Sequence, residues 1–324
     1  MSVNVGNSEF RPLPTNPTAK ITGVHESLLQ ECEKDIIWYR DNFFGKVHQN
    51  YLALDSPRGP LAISVIRDAD AYKALLRTTA GSERLSVSAS SIPTSLVRRV
   101  FGLGPSMESL MEGISRNIPT KSLKMCKDAT LPNELLSMEE RQVIRSYKFG
   151  VAYVGPGQGS EEEMFKNRHE DTSPAFKQFL NFLGETIELR GWKGYRAGLD
   201  TSGSNLTGTH SVYTKWQGYE IMFHVSTLLP FIEGDRQQLE RKRHIGNDIV
   251  VIVFQDGDVP FQLSSITSHQ NHVISVVRPD GDGYRAIVAP KSGVPSFTPD
   301  LPEPSVFGQD AVSRDFFLHK CRLR

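Results

Sequence analysis

The feature that most constrains this chain is an abrupt change from charged to apolar residues around Gly246-Asn247-Asp248. Residues 235–245 are good helix formers without proline or glycine, which predicts a helix about 15 Å long. Residues 249–254 are uncharged and mostly β-branched, which is typical of a strand buried on both faces. The sequence therefore predicts a charged helix that ends directly before a core strand.

Helical spacing places a set of polar residues on one face of this predicted helix. Arg236, Glu240, Arg243, His244 and Asn247 follow one another at steps of four, three, one and three. A charged face of this kind has two interpretations, a solvated surface or a surface presented to a partner. The glycine before Asn247 also fits a helix that ends in a left-handed turn. The pattern alone leaves both interpretations open.

Three sequence blocks carry a resemblance to a known family. Residues 242–250, Lys-Arg-His-Ile-Gly-Asn-Asp-Ile-Val, resemble the signature of the Rap GTPase-activating protein (RapGAP) family. Residues 194–200, Gly-Tyr-Arg-Ala-Gly-Leu-Asp, and 219–230, Tyr-Glu-Ile-Met-Phe-His-Val-Ser-Thr-Leu-Leu-Pro, resemble two further blocks in the right order. The resemblance extends over residues 146–307, and loosely over 38–51. The chain is identified on these blocks as a member of the RapGAP family.

The resemblance implies that the chain stimulates GTP hydrolysis by a Rap-type small GTPase in its GTP state. It would then be a regulator of an enzyme rather than an enzyme. Hydrolysis requires an attacking water held in line with the γ-phosphate, and many small GTPases orient this water with their own glutamine. Rap proteins are described as lacking that glutamine, and the family supplies an asparagine carboxamide instead, which Asn247 matches. An amide offers one acceptor and two donors and does not titrate near neutral pH.

The resemblance also implies supporting roles for five charged or polar residues. Lys148 and Lys242 match basic interface positions, suited to an acidic surface of the GTPase. Glu161 matches a position that braces the basic residues of the catalytic segment. Arg243 and His244 are expected to hold the helix and to contact the GTPase, rather than to act as an arginine finger.

Two alternatives to Rap activation remain open at this stage. The chain could be a scaffold that binds a GTPase without accelerating hydrolysis, or an activator of a Rheb-type GTPase. No cofactor of its own is expected, because GTP and Mg²⁺ would belong to the partner. The glycine-rich segment 155–159 lacks the Gly-Lys-Ser/Thr ending of a phosphate-binding loop, and Pro156 removes a backbone donor.

The predicted fold is α/β (α+β) with two domains, the catalytic one a mixed central sheet flanked by helices. The resemblance relates this domain to a G-domain-like fold. Residues 1–25 are polar and proline-containing, which predicts a flexible leader. Residues 26–136 predict a small α+β domain, for which the resemblance implies homodimerisation, and residues 137–324 the Rap-GAP domain. Residues 127–137 are interpreted as a linker, followed by a helix over 138–145.

Composition restricts the partners and the compartment. Among 324 residues, Lys plus Arg equals Asp plus Glu at 37 each, so no global basic field favours nucleic acid or anionic lipid. Three widely spaced cysteines without a CxxC pair favour a reducing compartment. Neither a secretory leader nor an apolar run of membrane-spanning length is present. We expect a cytoplasmic protein without an integral membrane segment, recruited peripherally to membranes through its GTPase.

Overall fold

The computed structural model describes residues 2–24, 36–115 and 118–322. The chain forms two units. The large unit comprises Met1–Leu29 with Arg145–Arg324, and the small unit comprises Gln30–Ile144.

Helices and strands are numbered in chain order. The large unit begins with two short strands, β1 (Val3–Asn4) and β2 (Thr15–Asn16). The described elements of the small unit are α1 (Trp38–Asn42), β3 (Gln49–Ala53), β4 (Leu61–Asp68), β5 (Ala71–Thr78), β6 (Gly81–Ser88), α2 (Leu96–Val100), α3 (Met107–Ile114), β7 (Lys124–Cys126) and α4 (Leu131–Glu140). The large unit continues with β8 (Ser146–Val154), α5 (Glu161–Phe165), α6 (Pro174–Leu183), β9 (Glu185–Glu188), β10 (His210–Trp216), β11 (Tyr219–Val225), α7 (Leu239–Gly246), β12 (Val250–Gln255), β13 (Phe261–Gln262), β14 (Val273–Asp280), β15 (Gly283–Pro290), β16 (Leu301–Pro302), β17 (Val306–Phe307) and α8 (Ala311–Cys321).

The small unit is built on an antiparallel sheet with the strand order β6-β5-β4-β3-β7. Helix α3 contributes Leu110, Met111 and Ile114 to the apolar cluster on one side of this sheet. The predicted mixture of helices and strands is confirmed.

Helix α4 overturns two expectations about the end of the small unit. Residues 127–137 were expected to form a linker, but helix α4 spans Leu131–Glu140 and belongs to the small unit, which ends at Ile144. Pro132 lies in its first turn, where a missing N–H removes no helical hydrogen bond. The Glu139 carboxylate accepts the amides of Tyr39 (2.6 Å) and Arg40 (2.8 Å) and fastens α4 to α1. The predicted helix over 138–145 and the boundary at 136/137 are therefore wrong.

The large unit contains a mixed sheet of eight strands in the order β17-β15-β14-β12-β8-β11-β10-β9. The four central strands, β14, β12, β8 and β11, are parallel. The outer strands pair antiparallel on both sides. This confirms the predicted mixed central sheet.

Helices cover both faces of the central strands. Alternate residues of β12, such as Ile252 and Val253, enter two separate apolar clusters on opposite faces. Helices α6 and α8 contribute to one cluster, and α5 and α7 to the other. All six residues of β12 are buried, so the prediction of a strand covered on both sides is confirmed.

The segment before residue 25 is part of the large unit and not a flexible leader. Strand β1 pairs in parallel with β13, and β2 pairs in parallel with β16. Phe10 is buried, and the amide of Leu13 donates to the carbonyl of Val288 at 2.8 Å. The prolines that suggested disorder are compatible with an extended segment at the edge of a sheet. The expectation for residues 1–25 is therefore corrected over residues 2–24.

None of the helices in the described part of the chain could cross a membrane. Helix α8 has 11 residues and is about 16 Å long, which is short of the hydrocarbon thickness of a bilayer.

Candidate functional site

Helix α7, which precedes Asn247, begins later than predicted. The Asp235 carboxylate accepts the amides of Gln237 (3.0 Å) and Leu239 (2.9 Å). Gln238 is left-handed, with a φ of 49°, so the backbone before Leu239 cannot be α-helical. Arg236 therefore precedes the helix and does not lie on the predicted polar face.

Arg241 anchors α7 to the body of the large unit. Its side chain is buried, and its guanidinium donates to the carbonyls of Leu229, Pro230, Phe165 and Asn167 at 2.6–3.1 Å. Burial lowers the pKa of this guanidinium to about 10, so it is charged at neutral pH. None of these contacts is with a carboxylate. The cation therefore serves to satisfy main-chain carbonyls at the C-terminal end of α5 and in the segment after β11.

The main chain at Asn247 is held from several directions. Its N–H donates to the carbonyl of His244 at 3.2 Å, which closes the last turn of α7. Its carbonyl accepts from Lys148 Nζ at 3.0 Å. The preceding carbonyl, of Gly246, accepts from Ser268 Oγ at 2.6 Å. The backbone is therefore fixed on both sides of the Asn247 Cα atom.

The side chain of Asn271 connects main-chain carbonyls on the two sides of Asn247. This side chain is buried, and its Nδ2 donates to the carbonyls of Ile245 (3.1 Å) and Asp248 (2.5 Å). The two carbonyls flank Asn247, which is itself exposed. Its carboxamide makes no hydrogen bond to any residue that the structure describes, so a rigid main chain presents a free amide.

Asp248 ties this turn to the strand beneath it. Its carboxylate is fully buried, with Oδ2 hydrogen-bonded to His224 Nδ1 at 2.8 Å and Oδ1 at 3.3 Å from Lys148 Nζ. His224 is also buried, and its Nε2 donates to the carbonyl of Ala197 at 3.1 Å. Ala197 belongs to residues 194–200, His224 to residues 219–230 and Asp248 to residues 242–250, so all three sequence blocks meet at this histidine.

Gly150 makes room for this arrangement. The register of β11, β8 and β12 aligns His224, Gly150 and Val251 in one row. A Cβ atom at Gly150 would lie 3.2 Å from Ile245 Cγ2 and 3.3 Å from Asp248 Oδ2. The absence of a side chain therefore lets the end of α7 approach the sheet.

The remaining residues expected at the site lie on or beside α7. Lys242 Nζ forms an ion pair with Glu161 Oε2 at 2.5 Å. Arg243 forms a local ion pair with Glu240 at 2.6 Å and is 63% exposed. His244 is half-buried, with its ring centroid 5.5 Å from that of His224. Burial is the largest cause of its lowered pKa, followed by the electrostatic effects of the neighbouring His224 and Arg243, so His244 is neutral at pH 7.

The structure brings Lys148, Glu161, Lys242, His244 and Asn247 to one region. Sequence reasoning missed the residues that hold this region in place, namely Gly150, Ala197, Arg241, Asp248, Ser268 and Asn271, and gave His224 no role. Within the described ranges, no group of three or more His, Cys, Asp or Glu side chains is placed to bind a metal ion. What the site offers chemically is an exposed, uncharged amide next to Lys242 and Arg243.

Comparisons with known proteins define the class. The Rap/ran-GAP family matches residues 164–322, a range that includes Asn247 and α7. The chain belongs to this Rap/Ran-GAP family.

Individual relatives extend the match beyond this domain. The chain is 40% identical to GTPase-activating Rap/Ran-GAP domain-like protein 3 of Mus musculus, over 94% of this chain and 29% of the relative. It is also 40% identical to signal-induced proliferation-associated protein 1 of Homo sapiens, over 90% of this chain and 29% of the relative. It thus spans about a third of the length of these relatives. A solved structure of the TSC2 GAP domain is 30% identical, covers 54% of this chain and 92% of that chain, and has a TM-score of 0.48.

Proposed function

We propose that this chain accelerates GTP hydrolysis by a Rap-type small GTPase in its GTP state, and that Asn247 supplies a carboxamide in trans. Membership of the Rap/Ran-GAP family and the names of the relatives support GTPase activation. In this role the chain is a regulator, and the nucleotide and Mg²⁺ belong to the partner. A cytoplasmic location stays a prediction.

The observation that carries the proposal is the contrast between the main chain and the side chain of Asn247. Hydrogen bonds from Lys148, Ser268 and Asn271 fix the backbone, while the amide is exposed. Because folding has already fixed this backbone, little further conformational entropy is lost when the amide is positioned in the partner's active site. In the partner's active site, Oδ1 would accept a hydrogen from the attacking water and Nδ2 would donate to a γ-phosphate oxygen.

The charges around Asn247 suit an acidic partner surface. Lys242 and Arg243 lie on the same helix, and each keeps part of its charged side chain exposed. Glu161 and Glu240 neutralise them in part and orient them. On binding, these cations would pair with carboxylates of the GTPase. They would thereby raise the association rate and help to fix the relative orientation of the two proteins.

The decisive experiment is single-turnover GTP hydrolysis on purified Rap with wild type and Asn247→Ala. We expect Asn247→Ala to lose nearly all acceleration while binding Rap·GTP, because the change removes the amide and little contact area. Asn133→Ala, which makes the same change at an exposed position of the small unit, serves as the control. Full activity of Asn247→Ala would refute the proposed mechanism.

A panel of GTPases distinguishes the two alternatives. Binding of Rap without acceleration by the wild type would establish the scaffold function. Acceleration of Rheb but not of Rap would refute the proposed substrate and leave the role of Asn247 intact.

We also propose that the small unit self-associates. Helix α2 and the residues after it expose Leu96 (77%), Val97 (67%), Val100 (81%) and Phe101 (72%), an apolar surface that a second copy of this chain would cover. Sedimentation should show a dimer for the wild type and a monomer for Val100→Asp. A monomeric wild type across micromolar concentrations would refute the dimer.

A further inference from the structure

His224 is a fully hydrogen-bonded histidine that the proposed mechanism does not use directly. Its side chain is only 2% exposed and lies in β11, on the face of the sheet that α7 covers. The carbonyl of Ala197 can only accept, so Nε2 must carry a hydrogen. The 2.8 Å contact between Nδ1 and Asp248 Oδ2 then requires one further hydrogen between these two atoms. The ring therefore links the loop at Ala197 to the Asp248 side chain, with one ring nitrogen hydrogen-bonded to each.

The Ala197 end of this connection is itself conformationally unusual. Ala197 has a φ of 51° and Gly198 a φ of 84°, and the Leu199 amide donates to the Arg196 carbonyl at 2.8 Å. A tight turn with two left-handed residues is disfavoured for alanine, yet it aims the Ala197 carbonyl at Nε2. The turn thus fixes the orientation of the ring from the side opposite Asp248.

The Asp248 end reaches Asn247 through one peptide bond. Asp248 Oδ2 contacts His224, while its Oδ1 lies near Lys148, whose Nζ also donates to the Asn247 carbonyl. If Nδ1 were removed, Lys148 would be the one polar partner left to the two oxygens of the buried carboxylate among the residues that the structure describes. The carboxylate would then turn towards that ammonium and draw it away from the Asn247 carbonyl. The peptide that presents the amide would lose one of its fixed points.

We propose that His224 is a positioning residue for the Asn247 carboxamide, acting through Asp248 and the Asn247–Asp248 peptide. This inference rests on the proposed function of Asn247 as the group that orients water. It assigns the effect to the Nδ1 contact with Asp248 and not to the Nε2 contact with Ala197. Because its side chain is only 2% exposed, His224 is expected to act through these contacts within the chain rather than by touching the GTPase or the nucleotide.

Two amide substitutions separate the two ends of the ring. In His224→Asn, the side-chain amide can occupy the place of Nδ1 and donate to Asp248. In His224→Gln, the longer amide can occupy the place of Nε2 and donate to the Ala197 carbonyl. Both variants are uncharged and polar, so differences between them report on geometry rather than on charge. Multiple-turnover hydrolysis over a range of Rap·GTP concentrations gives kcat and KM, and thermal unfolding gives stability.

We expect His224→Gln to lower kcat by about tenfold or more with little change in KM, because small displacements of a positioned group cost rate rather than binding. We expect His224→Asn to retain most of kcat, even though both variants lower the melting temperature. Equal kcat values for the two variants, or rates that simply follow their melting temperatures, would overturn the inference and make His224 a core residue only. A change confined to KM would overturn it as well.

The outcomes also distinguish a failure of this inference from a failure of the proposed function of Asn247, on which it rests. If the wild type accelerates hydrolysis and Asn247→Ala does not, the proposed function stands, and the His224 pair tests positioning alone. If the wild type accelerates no GTPase, both proposals fail together. Should His224→Gln not fold, Asp248→Asn replaces it, since it keeps the size of the side chain but removes the charge that Lys148 and His224 face. The same loss of kcat at unchanged KM is expected, and an unchanged kcat would refute the inference.

Discussion

Lys148 Nζ lies 3.0 Å from the main-chain carbonyl oxygen of Asn247 and 3.3 Å from Oδ1 of Asp248. One cation in β8 therefore holds the C-terminal end of α7, where unpaired carbonyls carry partial negative charge. The resemblance implied an interface role for Lys148, and its contact with a GTPase stays a prediction. Within this chain, its contacts hold the residue proposed to act in catalysis.

Replacing Arg241 with lysine should destabilise the large unit. Lysine keeps the charge but cannot reproduce the fork of donors that reaches four carbonyls, so buried acceptors lose their partners. We expect Arg241→Lys to lower the free energy of unfolding by about 3 kcal/mol, measured in urea. Arg236→Lys, at a side chain that is 88% exposed, should change it by less than about 0.5 kcal/mol. Similar values for the two variants would contradict the anchoring role.

A methyl group at Gly150 should disturb the site more than the fold. It would meet Ile245 Cγ2 at 3.2 Å and Asp248 Oδ2 at 3.3 Å, so α7 would have to move by a few tenths of an ångström. We expect Gly150→Ala to cost about 1 kcal/mol in the free energy of unfolding and to slow Rap·GTP hydrolysis severalfold at saturating GTPase. Gly159→Ala, where a Cβ meets no atom within 4 Å, is the control. Equal hydrolysis rates for both variants would show that the close approach is unimportant.

The basic residues of α7 should contribute to association in a salt-dependent way. We expect Lys242→Ala and Arg243→Ala each to weaken binding to Rap·GTP by about threefold to tenfold at low ionic strength. The loss should shrink at about 0.5 M salt, because screening removes the attraction that these cations provide. Lys215→Ala, an exposed lysine in β10, should leave the dissociation constant unchanged. A loss that is independent of salt would point to packing instead of charge.

Acidification should destabilise the fold through three half-buried histidines. Burial lowers the pKa values of His169, His244 and His319 in the folded state. Each ring therefore binds a proton more readily when unfolded, where its pKa is about 6.5. Unfolding takes up protons below that pH, so the free energy of unfolding falls as the pH falls through this range.

Unfolding in urea at pH 7.5 and pH 5.5 measures this dependence. His244→Gln should make the decrease smaller, because it removes one of the three groups. A wild-type stability that rises on acidification over this range would contradict the lowered pKa values, and an unchanged decrease in His244→Gln would exclude His244 as a contributor.

Local sequence patterns predicted several elements of this fold well. The apolar run at 249–254 predicted β12 to within one residue. Helix α6 likewise begins where local chemistry allows, with Ser173 as its N-cap and Pro174 in its first turn. The Asp-Gly steps at 280–283, which are typical of tight turns, lie at the turn between β14 and β15. These features succeed because periodicity and turn chemistry depend on neighbours a few residues apart.

Predictions failed where distant residues decide the conformation. Residues 2–24 pair with strands near the other end of the chain, and α4 is fastened to α1, so polar and proline-containing composition was a poor guide. The start of α7 depends on hydrogen bonds to Asp235 that override helix propensity.

The sequence by itself singled out the residue that we propose to act in catalysis. A charged helix, the Gly246-Asn247-Asp248 turn and the following core strand, together with the family blocks, singled out Asn247. Only the tertiary structure decided what holds that residue. Lys148, His224 and Asn271 reach it through sheet register and loop packing, from positions 23 to 99 residues away from Asn247 or Asp248. Local patterns fix which segments become strands and helices, but the contacts between those segments exist only once the sheet has assembled.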